Sequence, residues 1–265
     1  MSILEKILSV KIIEIELNKA IKPVRLLERS VYFNTDVVSM KKYLMRNDKV
    51  GIIAEIKRSS PSTGELKYSL DVEKLSIGYM QAGATALSVL TDNEFFGGSN
   101  ENLKIARKFN YCPILRKDFT IDEYQVVEAK SIGADCILLI AACLTPGKCK
   151  ELAAFAKKLG LEVLLEVHNK YEIDTHINLH VDIVGVNNRN LNNFKTSIEN
   201  SIAIAEYIPA EFVKISESGI SEADQIIKLG QLGFQGFLIG GYFMKHARPA
   251  EACKKLIGKL KTELA

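Results

Sequence analysis

Eight short apolar runs punctuate the chain: Gly51 to Ile56, Ala86 to Leu90, Pro113 to Leu115, Cys136 to Ile140, Val163 to Val167, Ile183 to Val186, Phe212 to Ile215 and Phe237 to Ile239. Runs this short and this continuously apolar predict strands that are covered on both faces. Between most of them apolar residues return at three and four, as in Val72, Leu75 and Tyr79 or in Leu152, Phe155, Ala156 and Leu159, which predicts helices. Gly83, Gly133, Gly160 and Gly233 each stand where a helix would hand over to a strand. Glycine takes the left-handed C-cap conformation without a Cβ clash, so the four repeat one strand-helix unit. The pattern predicts an α/β protein with a closed (β/α)8 TIM barrel. An open doubly wound sheet shares the punctuation but usually carries fewer strands.

Residues 1–48 precede the first strand and show amphipathic spacing through Leu4, Ile7, Leu8, Ile12 and Ile15, then through Val37, Val38, Met40 and Leu44. They predict helices laid over one end of the barrel, with a break at Pro23, since the residue before a proline avoids the helical region. No Gly/Ser-rich or Pro-rich linker interrupts the chain, so residues 1–265 read as a single domain whose first 48 residues form a helical extension.

Composition narrows the function classes. The net charge of +3 is small, and Lys and Arg are interspersed with Asp and Glu, which argues against a nucleic-acid partner. Charges interrupt the apolar start, and no run is long enough to span a bilayer, so the chain reads as soluble and cytoplasmic, with no membrane association and no obligate protein partner evident. Five cysteines without a CxxC pair predict buried hydrophobes rather than disulfides or a zinc site. Tryptophan is absent.

In a parallel barrel the carboxyl ends of all strands open on one face. Polar residues collect at those ends here: Glu55 and Lys57 alternate onto one side of the first strand, Lys117 and Asp118 end the third, and Glu166 and His168 end the fifth. Asn187, Asn188 and Arg189 end the sixth, Glu217 and Ser218 the seventh, and Gly240 and Gly241 the eighth. Glu55, Glu166 and Glu217 facing Lys57, Lys117 and Arg189 in one cleft is an arrangement that drives pKa values apart, and it predicts a catalytic site. Ser60, Gly219, Gly240 and Gly241 could surround a phosphate, because loops after the last two strands are the usual phosphate position in this fold and glycine lets backbone N–H groups come close. His168 is expected to be structural or peripheral. Asp118 is expected to cap a helix beginning near Ile121 or to hold Lys117 in place.

The segment Glu55-Ile-Lys-Arg-Ser-Ser-Pro-Ser-Thr-Gly64 resembles the first-strand signature of indole-3-glycerol-phosphate synthases. Leu-Arg-Lys-Asp-Phe (115–119), Leu-Glu-Val-His (165–168), Val-Asn-Asn-Arg-Asn-Leu (186–191), Ser-Glu-Ser-Gly-Ile (216–220) and Phe-Phe-Gly-Gly-Ser (95–99) are similar to further motifs of that family, in family order. The resemblance covers essentially the whole chain. It implies a cofactor-free, metal-free ring closure of a phosphorylated small molecule, 1-(2-carboxyphenylamino)-1-deoxyribulose 5-phosphate, with loss of carbon dioxide and water. It further implies Lys117 as general acid at the carbonyl, Lys57 as a second cation that can protonate the departing hydroxyl, and Glu166 as general base. Glu55, Asn187, Arg189, Glu217 and Ser218 would position the substrate and the lysines. Gly240-Gly241 departs from the commoner Gly-Glu or Gly-Ser at that place, which makes Gly241 the less certain phosphate contact.

The residues fit rival chemistries poorly. A Schiff-base aldolase would want a lysine at the sixth strand, where Asn187 and Arg189 stand, and a metal hydrolase would want clustered His and Asp.

Overall fold

In the computed structural model, which describes residues 3–60, 64–65, 70–190 and 195–263, eight parallel strands close into a barrel. They are β1 (Ile52–Ile56), β2 (Ala86–Leu90), β3 (Ile114–Lys117), β4 (Cys136–Ile140), β5 (Glu162–Val167), β6 (Ile183–Asn187), β7 (Val213–Glu217) and β8 (Phe234–Ile239). Each strand pairs with its sequence neighbours, and β8 returns to β1 through Ile52 opposite Phe237. The chain is therefore a TIM barrel. The apolar runs locate all eight strands, although β8 starts three residues before Phe237, at Phe234. Its early half is harder to see because Gln235 and Gly236 interrupt the apolar pattern, and the pairing with β7 slips there.

The connecting helices are α4 (Val72–Gln81), α5 (Asn100–Phe109), α6 (Glu123–Ser131), α7 (Pro146–Lys158), α8 (Lys170–His176), α9 (Glu199–Ile204) and α10 (Ala223–Gln231); after β8 come α11 (Gly241–Met244) and α12 (Pro249–Glu263). Gly83, Gly133, Gly160 and Gly233 all adopt positive φ, between 75° and 100°. Asp122, not Asp118, caps α6: its side chain accepts from the Tyr124 N–H, and Gln125 reaches back to complete a capping box.

Before β1 lie α1 (Ile3–Ile21), α2 (Val24–Leu27), which opens at Pro23 as the break there requires, and α3 (Met40–Leu44). These helices serve both ends of the barrel rather than one. Met40 and Leu44 join the interior cluster of Ile53, Ala86, Cys136, Ile183 and Ile215, closing the end where the strands begin. Ile3, Leu4 and Ile7 line the cavity at the opposite mouth. Only Met40–Leu44 of the second amphipathic stretch is helical, because Ser39 is the extended N-cap and the Val38 N–H goes to the Asp135 carboxylate.

The buried stripe of α1 is Ile7, Lys11 and Ile15, whereas Ile12 faces out at 56% exposure. An ammonium sits on the inner face because carboxylates meet it there: Lys11 Nζ lies 2.9 Å from Asp92, 3.0 Å from Asp118 and 2.9 Å from Glu14. The cysteines are all free, and burial pushes the Cys112 thiol up to about 12, leaving it inert. No described helix is long and apolar enough to cross a membrane.

Candidate active site

Of the residues expected at the mouth, the eight given roles in the reaction, Glu55, Lys57, Lys117, Glu166, Asn187, Arg189, Glu217 and Ser218, come from five strand ends, and all eight line one cavity of about 430 Å³. Alternation along β1 carries Glu55 and Lys57 inward together, and Lys57 Nζ contacts Glu55 Oε1 at 2.6 Å. Lys117, the last residue of β3, stands between two acids, 2.6 Å from Glu166 at the β5 end and 2.9 Å from Glu217 at the β7 end. The Asn187 amide donates to the other Glu166 oxygen at 3.0 Å, and the Arg189 N–H donates to Asn187 Oδ1 at 2.9 Å. The loop after β6 is thereby tied to the acid–base group.

The two acids that share Lys117 are driven apart. Burial by itself would raise both carboxyls. For Glu166, the Lys117 ammonium, His168 and the Asn187 amide outweigh that cost and hold it well below the usual carboxylate range. For Glu217, burial dominates over Lys117, and the neighbouring Glu166 and Glu55 charges add to it, so it is pushed up. Its Oε1 is buried without a hydrogen-bond partner among the described residues. Lys117 is itself desolvated, but the surrounding Glu166, Glu217 and Glu55 raise its pKa and keep it charged. Burial lowers Arg189, offset in part by Glu55.

Ser218 is the single described non-glycine residue with positive φ, 68°, and Gly219 follows at 75°. A non-glycine residue in this region stores strain, and such strain collects where a turn is over-determined by its surroundings. The surroundings here are the Asn188 amide, which donates to Ser218 O at 3.0 Å and to Ser216 Oγ at 2.9 Å. Gly219, Gly240 and Gly241, after the neighbouring strands β7 and β8, line the same cavity. The side chain of Ser60 lies outside the described residues, as does Leu191 of the sixth-strand motif.

Asp118 lines the cavity, but its partners lie elsewhere than Lys117, Glu166 and Glu217. It receives Lys11, the Thr91 hydroxyl, Arg116 and the Phe119 N–H, and those cations outweigh burial to hold its pKa down. His168 lies directly behind Glu166, with Nε2 3.7 Å from Glu166 Oε1. Sequence reasoning missed the apolar walls of the cavity: Ile3, Leu4 and Ile7 of α1, Phe96 and Phe119, together with Tyr242 and Lys245. Helical spacing marks the α1 residues as a buried face but cannot say which end of the barrel they cover. Among the described residues no group of three or more His, Cys, Asp or Glu side chains could hold a metal ion.

A family model described as "Indole-3-glycerol phosphate synthase" matches residues 4–256. The chain belongs to the indole-3-glycerol phosphate synthase family. It is 46% identical over 255 residues to the indole-3-glycerol phosphate synthase of Bacteroides thetaiotaomicron, covering 96% of this chain and 97% of that one. It is 38% identical over 258 residues to that of Bordetella pertussis, covering 96% and 98%. Among solved structures, 3-hexulose-6-phosphate synthase from Salmonella typhimurium superposes with a TM-score of 0.62 at 13% identity, over 80% of this chain and 99% of that one. Tryptophan synthase subunit alpha from Legionella pneumophila does so with a TM-score of 0.60 at 14% identity, over 84% and 97%. At such identities these two speak for the barrel alone.

Proposed function

We propose that this indole-3-glycerol phosphate synthase family member closes the pyrrole ring of 1-(2-carboxyphenylamino)-1-deoxyribulose 5-phosphate, releasing carbon dioxide and water to give indole-3-glycerol phosphate. The observation that carries the reading is the Lys117 ammonium held between Glu166 and Glu217 in a cavity that is also lined by apolar side chains and by Gly219, Gly240 and Gly241. The substrate has the matching parts: an aromatic ring, a ketone and a phosphate.

In the first step the ring carbon that bears the carboxylate attacks the ketone, and Lys117 gives a proton to the carbonyl oxygen. Charge developing on that oxygen meets a preorganised cation in a desolvated site. The carbon–carboxylate bond then breaks, and its electron pair restores the aromatic ring. Lys57 protonates the hydroxyl, which departs as water, and Glu166 takes the proton from the neighbouring carbon to complete the indole. Glu55 holds Lys57, while Asn187 and Glu217 hold Glu166 and Lys117. Arg189 receives the substrate carboxylate before it leaves, and Ser218 fixes the turn that leads into Gly219.

Backbone donors around Ser60, Gly219, Gly240 and Gly241 bind the phosphate, with Lys245 at the rim adding positive charge. The barrel and its N-terminal helices act as one domain, since α1 supplies a wall of the same cavity. The test is direct: purified protein incubated with the carboxyphenylamino-deoxyribulose phosphate should develop indole fluorescence with equimolar carbon dioxide. Substrate left unchanged would contradict the reading.

A further inference from the structure

The proton accounting of the proposed reaction exposes a charge problem inside the barrel. Once Lys117 has protonated the ketone oxygen, Glu166 and Glu217 have lost the cation they share, and the proton is not regained by this group until Glu166 takes the carbon-bound hydrogen at the end. Burial and neighbouring charges already push Glu217 toward its neutral form, so the charge left without a partner in a buried site is the Glu166 carboxylate. Glu166 also has to stay ionised through that interval, because it acts as base only afterwards.

The groups behind Glu166 answer the problem. His168 is not among the residues that line the cavity; it stands behind Glu166. Its Nε2 is buried and has no hydrogen-bond partner among the described residues, and the nearest acid is Glu166 Oε1 at 3.7 Å. On the other side, Glu172 Oε2 lies 3.3 Å from His168 Nδ1 and accepts the His168 backbone N–H at 2.7 Å. Asn169 in turn donates to the second Glu172 oxygen, fixing that carboxylate on the first turn of α8. The His168 carbonyl receives the Asn200 amide, which also bridges to the Asn187 carbonyl, so the imidazole and the Asn187–Glu166 contact belong to one framework.

We propose that His168, backed by Glu172, is a positioning residue of the reaction: its imidazolium Nε2–H closes on Glu166 Oε1 and supplies the compensating charge while Lys117 is without its proton. No bond is made or broken in this step beyond the hydrogen bond, and the imidazole keeps its proton. The titratable groups acting on the ring are Glu172, Glu166 and Glu217; Glu166 and Glu172 also act on the Cys143 thiol, and Glu166 and Glu217 on the Lys117 ammonium. Burial disfavours a charged imidazole, but Glu172, Glu166 and Glu217 outweigh it and raise the pKa, while the Cys143 thiol is pushed far up and stays neutral. The inference rests on the ring-closure reading, which the wild-type assay tests separately.

The experiment compares the pH dependence of kcat for wild type, His168→Gln and Glu172→Gln. Wild type should lose activity as pH rises through the imidazole pKa, above the ordinary value of about 6.5. His168→Gln should lose that limb, with kcat lowered roughly tenfold and KM nearly unchanged, a smaller effect than the ~10²-fold expected for loss of a direct acid or base. Glu172→Gln, which leaves the ring in place, should move the limb to lower pH while keeping the wild-type plateau on its acid side. A wild-type profile without the limb, or a limb at the same pH in Glu172→Gln and in a folded His168→Gln, overturns the proposal. If His168→Gln fails to fold, the Glu172→Gln shift decides. Absence of indole formation by the wild type would instead fail the ring-closure reading.

Discussion

Two glycines shape the acids of the mouth by leaving room for them. A Cβ on Gly240 would fall 2.2 Å from Glu55 Oε1, and one on Gly185 would fall 2.4 Å from Glu217 Oε1. Gly240, expected only as a phosphate contact, is therefore also the floor on which the Glu55 carboxylate rests. Gly185 sits inside β6 and carried no signal in the sequence, because the contact it permits crosses to the neighbouring strand. The charged residues, by contrast, were legible: alternation fixes that Glu55 and Lys57 share a face whatever the rest of the chain does. Gly185→Ala should push the Glu217 carboxylate away from Lys117 and lower kcat by ~10², the cost of about 1 Å of misplacement in a catalytic constellation. Indole formation rates checked against a chemical unfolding curve would show it, and a wild-type kcat would mean that Glu217 relaxes freely.

At the scale of elements, α1 is held to the mouth through Lys11. Helical periodicity located the helix but set its inner face along Leu4, Ile7, Leu8, Ile12 and Ile15, since a lysine is not expected on a buried stripe. The carboxylates that make it tolerable, Asp92 and Asp118, arrive from the ends of β2 and β3, and that convergence is written in the topology rather than in the helix. Removing one partner of a buried ion cluster leaves charge uncompensated, so Lys11→Met should destabilise the protein by about 3–5 kcal/mol.

The pH dependence of that difference follows from the direction of the shifts. Lys11 is raised despite its burial, because Asp118, Asp92 and Glu14 surround it; its contribution is complete below the ordinary lysine value of about 10.4 and fades only as pH rises through the folded value. Asp118 is lowered, so its contribution is present above about 3.9 and is lost as pH falls through the folded value. Glu14, held up by burial, takes its proton first on acidification. The stability gap between wild type and Lys11→Met should thus be flat from about pH 5 to 9 and close in stronger acid. Urea midpoints across that range would check it, and a gap that widens in acid would count against the ion cluster.

For the whole molecule, the barrel was readable because eight apolar runs with glycine stops admit few alternatives, and one consequence of closure is that residues 55, 117, 166, 189 and 217 meet. The apolar walls were not readable, because Ile3, Leu4, Ile7 and Phe119 come to line the cavity only through the placement of α1 and of the loop after β3. On the proposed reading, in which Gly219, Gly240 and Gly241 receive the phosphate, inorganic phosphate should raise the apparent KM for the sugar phosphate and leave kcat unchanged. A fall in kcat at saturating substrate would place the anion elsewhere.

The account turns on a single ammonium between two carboxylates, and indole formation by Lys117→Ala measures its part most directly. With the far-UV circular dichroism of the wild type retained, kcat should fall by at least ~10², the contribution of a positioned general acid. Turnover close to that of the wild type would contradict it.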